Sequence, residues 1–169
     1  MNKQVFPIFM YCLATFFVSQ ANARDAEPKI EELSWISQSF MSEQRITVDE
    51  ISRKNFGTPI RGEKSDLQTL QRIVDKQLID KDDKETLQAL GVVLGDVFVK
   101  DVKELEWKTL EDHIGRSHVV CVKDTTNCLF PITMLSRRME VGLKPKVNKI
   151  YNDALAEIKP FLPKLPFQK

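Results

Sequence analysis

The chain has 169 residues, 42% of them hydrophobic and 29% charged, with 25 Lys and Arg against 24 Asp and Glu. This length suits one domain able to bury a core. Near-neutrality argues against a nucleic-acid binder, which needs a basic surplus to displace counterions from phosphates, and there is no acidic tail or polybasic membrane patch.

The first element is an expected secretory signal peptide over residues 1–23. Lys3 supplies the charged start, Val5 to Val18 is an apolar run interrupted mildly by Pro7, Tyr11 and Thr15, and Ala21-Asn22-Ala23 is a small-x-small cleavage pattern. The run is shorter than the roughly 20 residues needed to cross a bilayer, which disfavours a membrane anchor. Bulky Phe9-Met10-Tyr11 ahead of Cys12 disfavours lipid attachment. Cleavage after Ala23 removes Lys3 and Cys12 and leaves a formally neutral protein with two cysteines and no expected membrane span, destined for the periplasm or secretion. The remainder reads as a single α+β domain over 24–160 and an irregular Pro-containing tail over 161–169.

From Pro28 to about Lys54, Ile30, Leu33, Ile36, Phe40, Met41, Val48 and Ile51 recur at three- and four-residue steps, which predicts a first helix ended by Asn55-Phe56-Gly57-Thr58-Pro59. Ser65 and Gln68 have capping-box spacing ahead of a second helix carrying Leu67, Leu70, Ile73, Val74 and Leu78. Asp82 and Glu85 repeat that spacing ahead of a third, with Leu87, Leu90, Leu94, Val97 and Phe98. Gly91 and Gly95 stand one turn apart within it, and each glycine costs a helix about 1 kcal/mol relative to Ala. Close approach of another element onto a smooth strip of backbone offsets that cost. A phosphate-binding loop is rejected, because the glycine spacing, a preceding strand and a downstream Lys-Ser/Thr are all missing.

After Lys100 the pattern turns to short β-like segments at Leu105–Glu111, His118–Lys123 and Cys128–Ile132, with turns at Ile114–Ser117 and Asp124–Asn127. They predict a small antiparallel three-stranded meander between three N-terminal and two C-terminal helices. The last two helices run from about Ile132 to Val141, ended by Gly142, and from Pro145 to Pro160. Cys121 and Cys128 lie on the two arms of the second hairpin, where an oxidising compartment favours a disulfide over a redox or zinc role. Trp35, Phe40, Trp107 and Phe98 are expected in the core.

Candidate chemistry gathers at Glu111-Asp112-His113-Ile114-Gly115-Arg116-Ser117-His118, with two carboxylates, both histidines of the chain and an arginine. A tight turn bringing Asp112 or His113 near His118 would make a divalent-metal site or an acid–base pair. The plainer expectation is a solvated turn with Asp112 paired to Arg116 and no metal, since no recognised ligand spacing occurs. Arg137 and Arg138 come next. One of them is expected to turn inward and pair with Glu111 or Asp112, the alternative being a grip on a ligand carboxylate or phosphate. No G-x-S-x-G, S-x-x-K or H-E-x-x-H motif occurs, and no cofactor is expected.

Leu90-Gly91-x-x-Leu94-Gly95-Asp96, Trp107, Glu111-Asp112, Gly115-Arg116, Phe130-Pro131, Arg137-Arg138-x-Glu140-x-Gly142 and Tyr151 follow one another in an order that resembles the bacterial domain of unknown function 3806 family. The resemblance runs roughly from the first helix to the last. It implies a shared fold without an established activity, so no catalytic residue is carried over. The cysteine pair departs from the family's pattern and fits an exported member.

Two functional readings follow. One is a periplasmic or secreted protein-interaction module, inhibitor or immunity-like, with a protein partner and no nucleic acid. The other is a metal-dependent or acid–base hydrolase using the Glu111–His118 turn.

Overall fold

A computed structural model describes residues 28–163. The expected signal peptide and its cleavage after Ala23, and the part of the expected tail beyond Pro163, lie outside the described residues.

Lys29–Glu32 forms a strand, β1, rather than the start of the first helix. Ser34 sets the boundary. Its backbone is extended and its hydroxyl accepts from the Ser37 amide at 3.1 Å, capping α1 (Trp35–Phe56). Gly57, at φ +64°, ends α1 in the left-handed conformation that glycine adopts without strain. The next two caps also differ from expectation. At the start of α2 (Asp66–Lys76) Ser65 makes no side-chain cap, and the Asp66 carboxylate instead accepts from the Arg61 and Glu63 amides, tying down the preceding loop. The cap of α3 (Lys84–Asp101) is Asp83 rather than Asp82, accepting from the Thr86 amide at 3.1 Å.

Strands β2 (Leu105–Asp112), β3 (Gly115–Val122) and β4 (Cys128–Leu129) complete an antiparallel sheet of four strands, not three, in the order β1-β2-β3-β4. The unforeseen strand β1 pairs with β2, Ile30 opposite Leu110 and Glu32 opposite Lys108. Lys108 bridges Glu32 and Glu106 across that pairing. β4 stops after two residues because Pro131, suited to a first helical turn, already opens α4 (Pro131–Glu140). The last helix, α5 (Val147–Ile158), runs into a 3₁₀ turn over Lys159–Phe161.

The core forms around α3, where Leu87, Leu90, Val93, Leu94, Val97 and Phe98 are buried. A Cβ added at Gly91 would lie 2.3 Å from the Ile132 Cα, and one at Gly95 would lie 2.0 Å from the Trp107 ring. The start of α4 and the indole of β2 are thus the elements that press on the smooth strip of α3. Asp96, next along, accepts from Arg45 Nε and Nη2 at 2.5 and 2.7 Å and from Trp107 Nε1 at 2.9 Å, joining α1, α3 and β2. On α5, the Tyr151 ring stacks on Phe98 at 4.7 Å and its hydroxyl donates to Asp101 at 2.5 Å. Burial alone would raise the Asp101 carboxyl, but the hydroxyl of Tyr151 and the ammonium of Lys64 hold it below the ordinary aspartate value.

Two expected core aromatics are not in the core. Trp35 is 77% exposed and Phe40 41% exposed, because the buried stripe of α1 runs through Met41, Gln44, Val48 and Ser52 instead. Among the described residues no helix is long and apolar enough to cross a membrane.

Candidate functional site

The β2–β3 hairpin divides the residues expected to act together. Asp112 and Gly115 are opposite one another, so only His113 and Ile114 form the turn, and Arg116 to His118 belong to β3. Asp112 Oδ1 accepts from the Ile114 and Gly115 amides at 2.8 and 3.1 Å and closes the turn. Arg116 therefore pairs with its cross-strand neighbour Glu111, at 2.8 Å, and not with Asp112. His118 stands opposite Thr109, three residue pairs from the tip, which is about 10 Å at the rise of a strand. The pairing thus holds His118 away from Asp112 and His113. Among the described residues no three His, Cys, Asp or Glu side chains gather as metal ligands.

Arg116, Ser117 and His118 instead form one side of a cleft of about 250 Å³. Phe40 and Gln44 come from α1, Gln88 from α3, and Phe130, Ile132 and Thr133 from the β4–α4 junction. Burial first, and the Arg116 charge second, lower the His118 pKa below the ordinary 6.5. At neutral pH its imidazole offers one donor and one acceptor. Gln44 is only 4% exposed, and its Oε1 has no hydrogen-bond partner among the described residues. An orphaned buried acceptor costs about 1–3 kcal/mol, which a donor reaching it would recover. Nothing in the sequence marks Gln44 as a site residue beyond its being a polar residue at helical spacing between Met41 and Val48.

Arg137 and Arg138 are both exposed, and neither reaches Glu111 or Asp112. The inner stripe of α4 is Pro131, Leu135, Ser136 and Met139, so helical geometry turns both arginines outward. Arg138 Nη1 donates to the Met134 carbonyl. The two arginines line a second hollow of about 530 Å³ with Met134, Val141 and Leu143, and this hollow shares Phe130 and Thr133 with the cleft. The expected inward arginine pair is replaced by two cations beside exposed apolar side chains.

Cys121 and Cys128 face one another across the β3–β4 pairing, with their sulfurs at bonding distance, 2.01 Å. The link anchors Cys128 two residues before Phe130, which both hollows share. A third hollow, of about 620 Å³, lies over the Arg45–Asp96 pair and is lined by Ile46, Ile60 and Val99 among others. Of its charged groups, Arg45 pairs with Asp96, Lys100 with Glu63, and Asp49 with Arg53 and the Ile60 amide, while Arg61 contributes its backbone N–H to Asp66 and its carbonyl to Lys100.

A family described as Domain of unknown function (DUF3806) matches residues 66–151. The match takes in the β3 and α4 walls of the cleft and Gln88, but not Phe40 or Gln44. No curated protein matches the chain. A crystal structure from Bacteroides thetaiotaomicron VPI-5482 is similar, with a TM-score of 0.70 and 17% identity, over 80% of this chain and 50% of that one. The chain therefore spans about half the length of that protein, and at this identity the likeness concerns the fold alone.

Proposed function

The chain belongs to the DUF3806 family, whose description assigns no activity, and from its geometry we propose an exported protein-interaction module, periplasmic or secreted, inhibitor or immunity-like. One observation carries this reading. Phe130, 44% exposed, stands between two hollows whose rims also expose Phe40, Val141 and Leu143. Large apolar side chains clustered on a rigid surface and rimmed by polar groups mark a binding face more often than a solvated one. Arg137 and Arg138 add cationic groups beside that face, suited to carboxylates on a partner.

The hydrolase reading has less support. His118 lines the cleft without a carboxylate among its other lining residues to act with it.

Phe130→Asp tests the proposal. The purified mature protein should retain a specific partner from a periplasmic extract, identified by mass spectrometry and confirmed with the purified partner. The variant should lose it at least tenfold with an unchanged circular dichroism spectrum, since central apolar anchors typically contribute this much or more. Equal retention by both proteins would overturn the reading, since the Phe130 face is the observation that carries it.

A further inference from the structure

The cleft beside Phe130 makes three chemical demands at once. Arg116 is the one Lys, Arg, Asp or Glu among the described residues that line it, and beyond the bond from Nη2 to Glu111 its guanidinium keeps donors for an anion. Gln44, which lines both this cleft and the hollow beside it, carries a buried acceptor without a donor among the described residues. Phe40 and Phe130 leave apolar surface partly in water. A ligand answering all three carries an anionic group, an N–H and an apolar body. At about 250 Å³ the space is below the roughly 300–1,000 Å³ of sites that enclose whole small molecules, and it suits a single residue.

We propose that this cleft takes the C-terminal residue of a partner polypeptide, its carboxylate at Arg116, its amide N–H at Gln44 and its apolar side chain against Phe40 and Phe130. The proposal rests on the interaction reading and names what that face recognises. The planar guanidinium fork matches a carboxylate with two parallel hydrogen bonds. Its present partner, Glu111, is a poor competitor, because the pair stays largely in water, with the side chains 59% and 49% exposed. A free amino acid has the same carboxylate but adds an ammonium, and among the described residues the cleft's lining has no Asp or Glu to meet it. Glu43 and Glu85 open on a separate hollow that shares only Phe40 and Gln44 with this one. An acylated nitrogen, as in a peptide, is therefore the better fit. The preceding residues of the partner would leave over Phe130 and Thr133 toward the Arg137 and Arg138 hollow.

The test uses two pools of N-acetylated octapeptides of random sequence with an apolar last residue, one pool with free carboxyl termini and one amidated, together with free leucine. Binding to the mature protein is read by affinity selection and, for selected members, by calorimetry. Free-acid peptides should be selected. Their amides should bind roughly tenfold more weakly or worse, and free leucine should not compete. Arg116→Gln should erase the difference between acid and amide, whereas Glu111→Gln, which releases Arg116, should tighten the acid a few-fold. Equal selection of both pools, or of neither at millimolar concentration, overturns the proposal. If partner retention still depends on Phe130 in that event, the interaction reading survives. If that dependence is also absent, both fail.

Discussion

His118 shows how neighbours decide what one side chain contributes. Burial and the Arg116 charge lower its folded-state pKa, so the unfolded chain takes up this proton first as pH falls below about 6.5. The contribution of the neutral imidazole to stability is therefore complete above that value and is lost progressively as pH falls toward the folded pKa. His118→Asn should flatten the decline in urea midpoint between pH 7 and pH 5, and an unchanged slope would mean that other groups set it. The residue types at this site were legible in the sequence, but their grouping was not. Asp112 and Arg116 have the spacing of a turn pair, yet the tip amides take Asp112 and the strand register gives Arg116 to Glu111. Gln44 joins the site only because α1 and β3, far apart in the chain, wall the same cleft.

At the scale of elements, α3 was the most legible part of the fold. Its two glycines one turn apart require something to approach closely, and the approach is made by the Ile132 backbone and the Trp107 ring. Gly91→Ala would gain about 1 kcal/mol of helix propensity, but its Cβ would meet backbone that cannot rotate away. Overpacking of this kind costs about 1–3 kcal/mol. The variant should be less stable by urea denaturation, and a gain in stability would show that α4 yields without cost. Strand β1 was the least legible element. Ile30 and Leu33 fall at helical steps from Ile36 and Phe40, and four residues carry too little periodicity to outweigh that pattern. What makes them a strand is an antiparallel partner at Lys108–Glu111. The same competition explains Trp35 and Phe40, because the local stripe indicates a face without stating which face the remaining elements cover.

For the molecule as a whole, export and the cysteine pair bear on one another. If residues 1–23 are a cleaved leader, the full-length chain expressed in an exporting host should begin at Arg24 and show no free thiol under native oxidising conditions; two reactive thiols would exclude the link. A closed loop this short should stabilise the fold by about 2–3 kcal/mol, so replacing both cysteines with serine should lower the unfolding free energy by that order. Because β4 has only two residues, the loss should also loosen Phe130 and weaken partner retention. The α+β class, the five α-helices among the described residues, the hairpin that brings Cys121 to Cys128, the close approach onto α3 and the family could all be read from the residues in order. These rest on periodicity, turn chemistry and ordered motifs, which act over a few residues. The fourth strand of the sheet, the outward-facing Arg137 and Arg138, and the cleft lined by Phe40, Gln44, Arg116, His118 and Phe130 appear only in the folded chain. Those outcomes depend on which distant surfaces bury one another, and that is settled by packing of the complete core rather than by any local pattern.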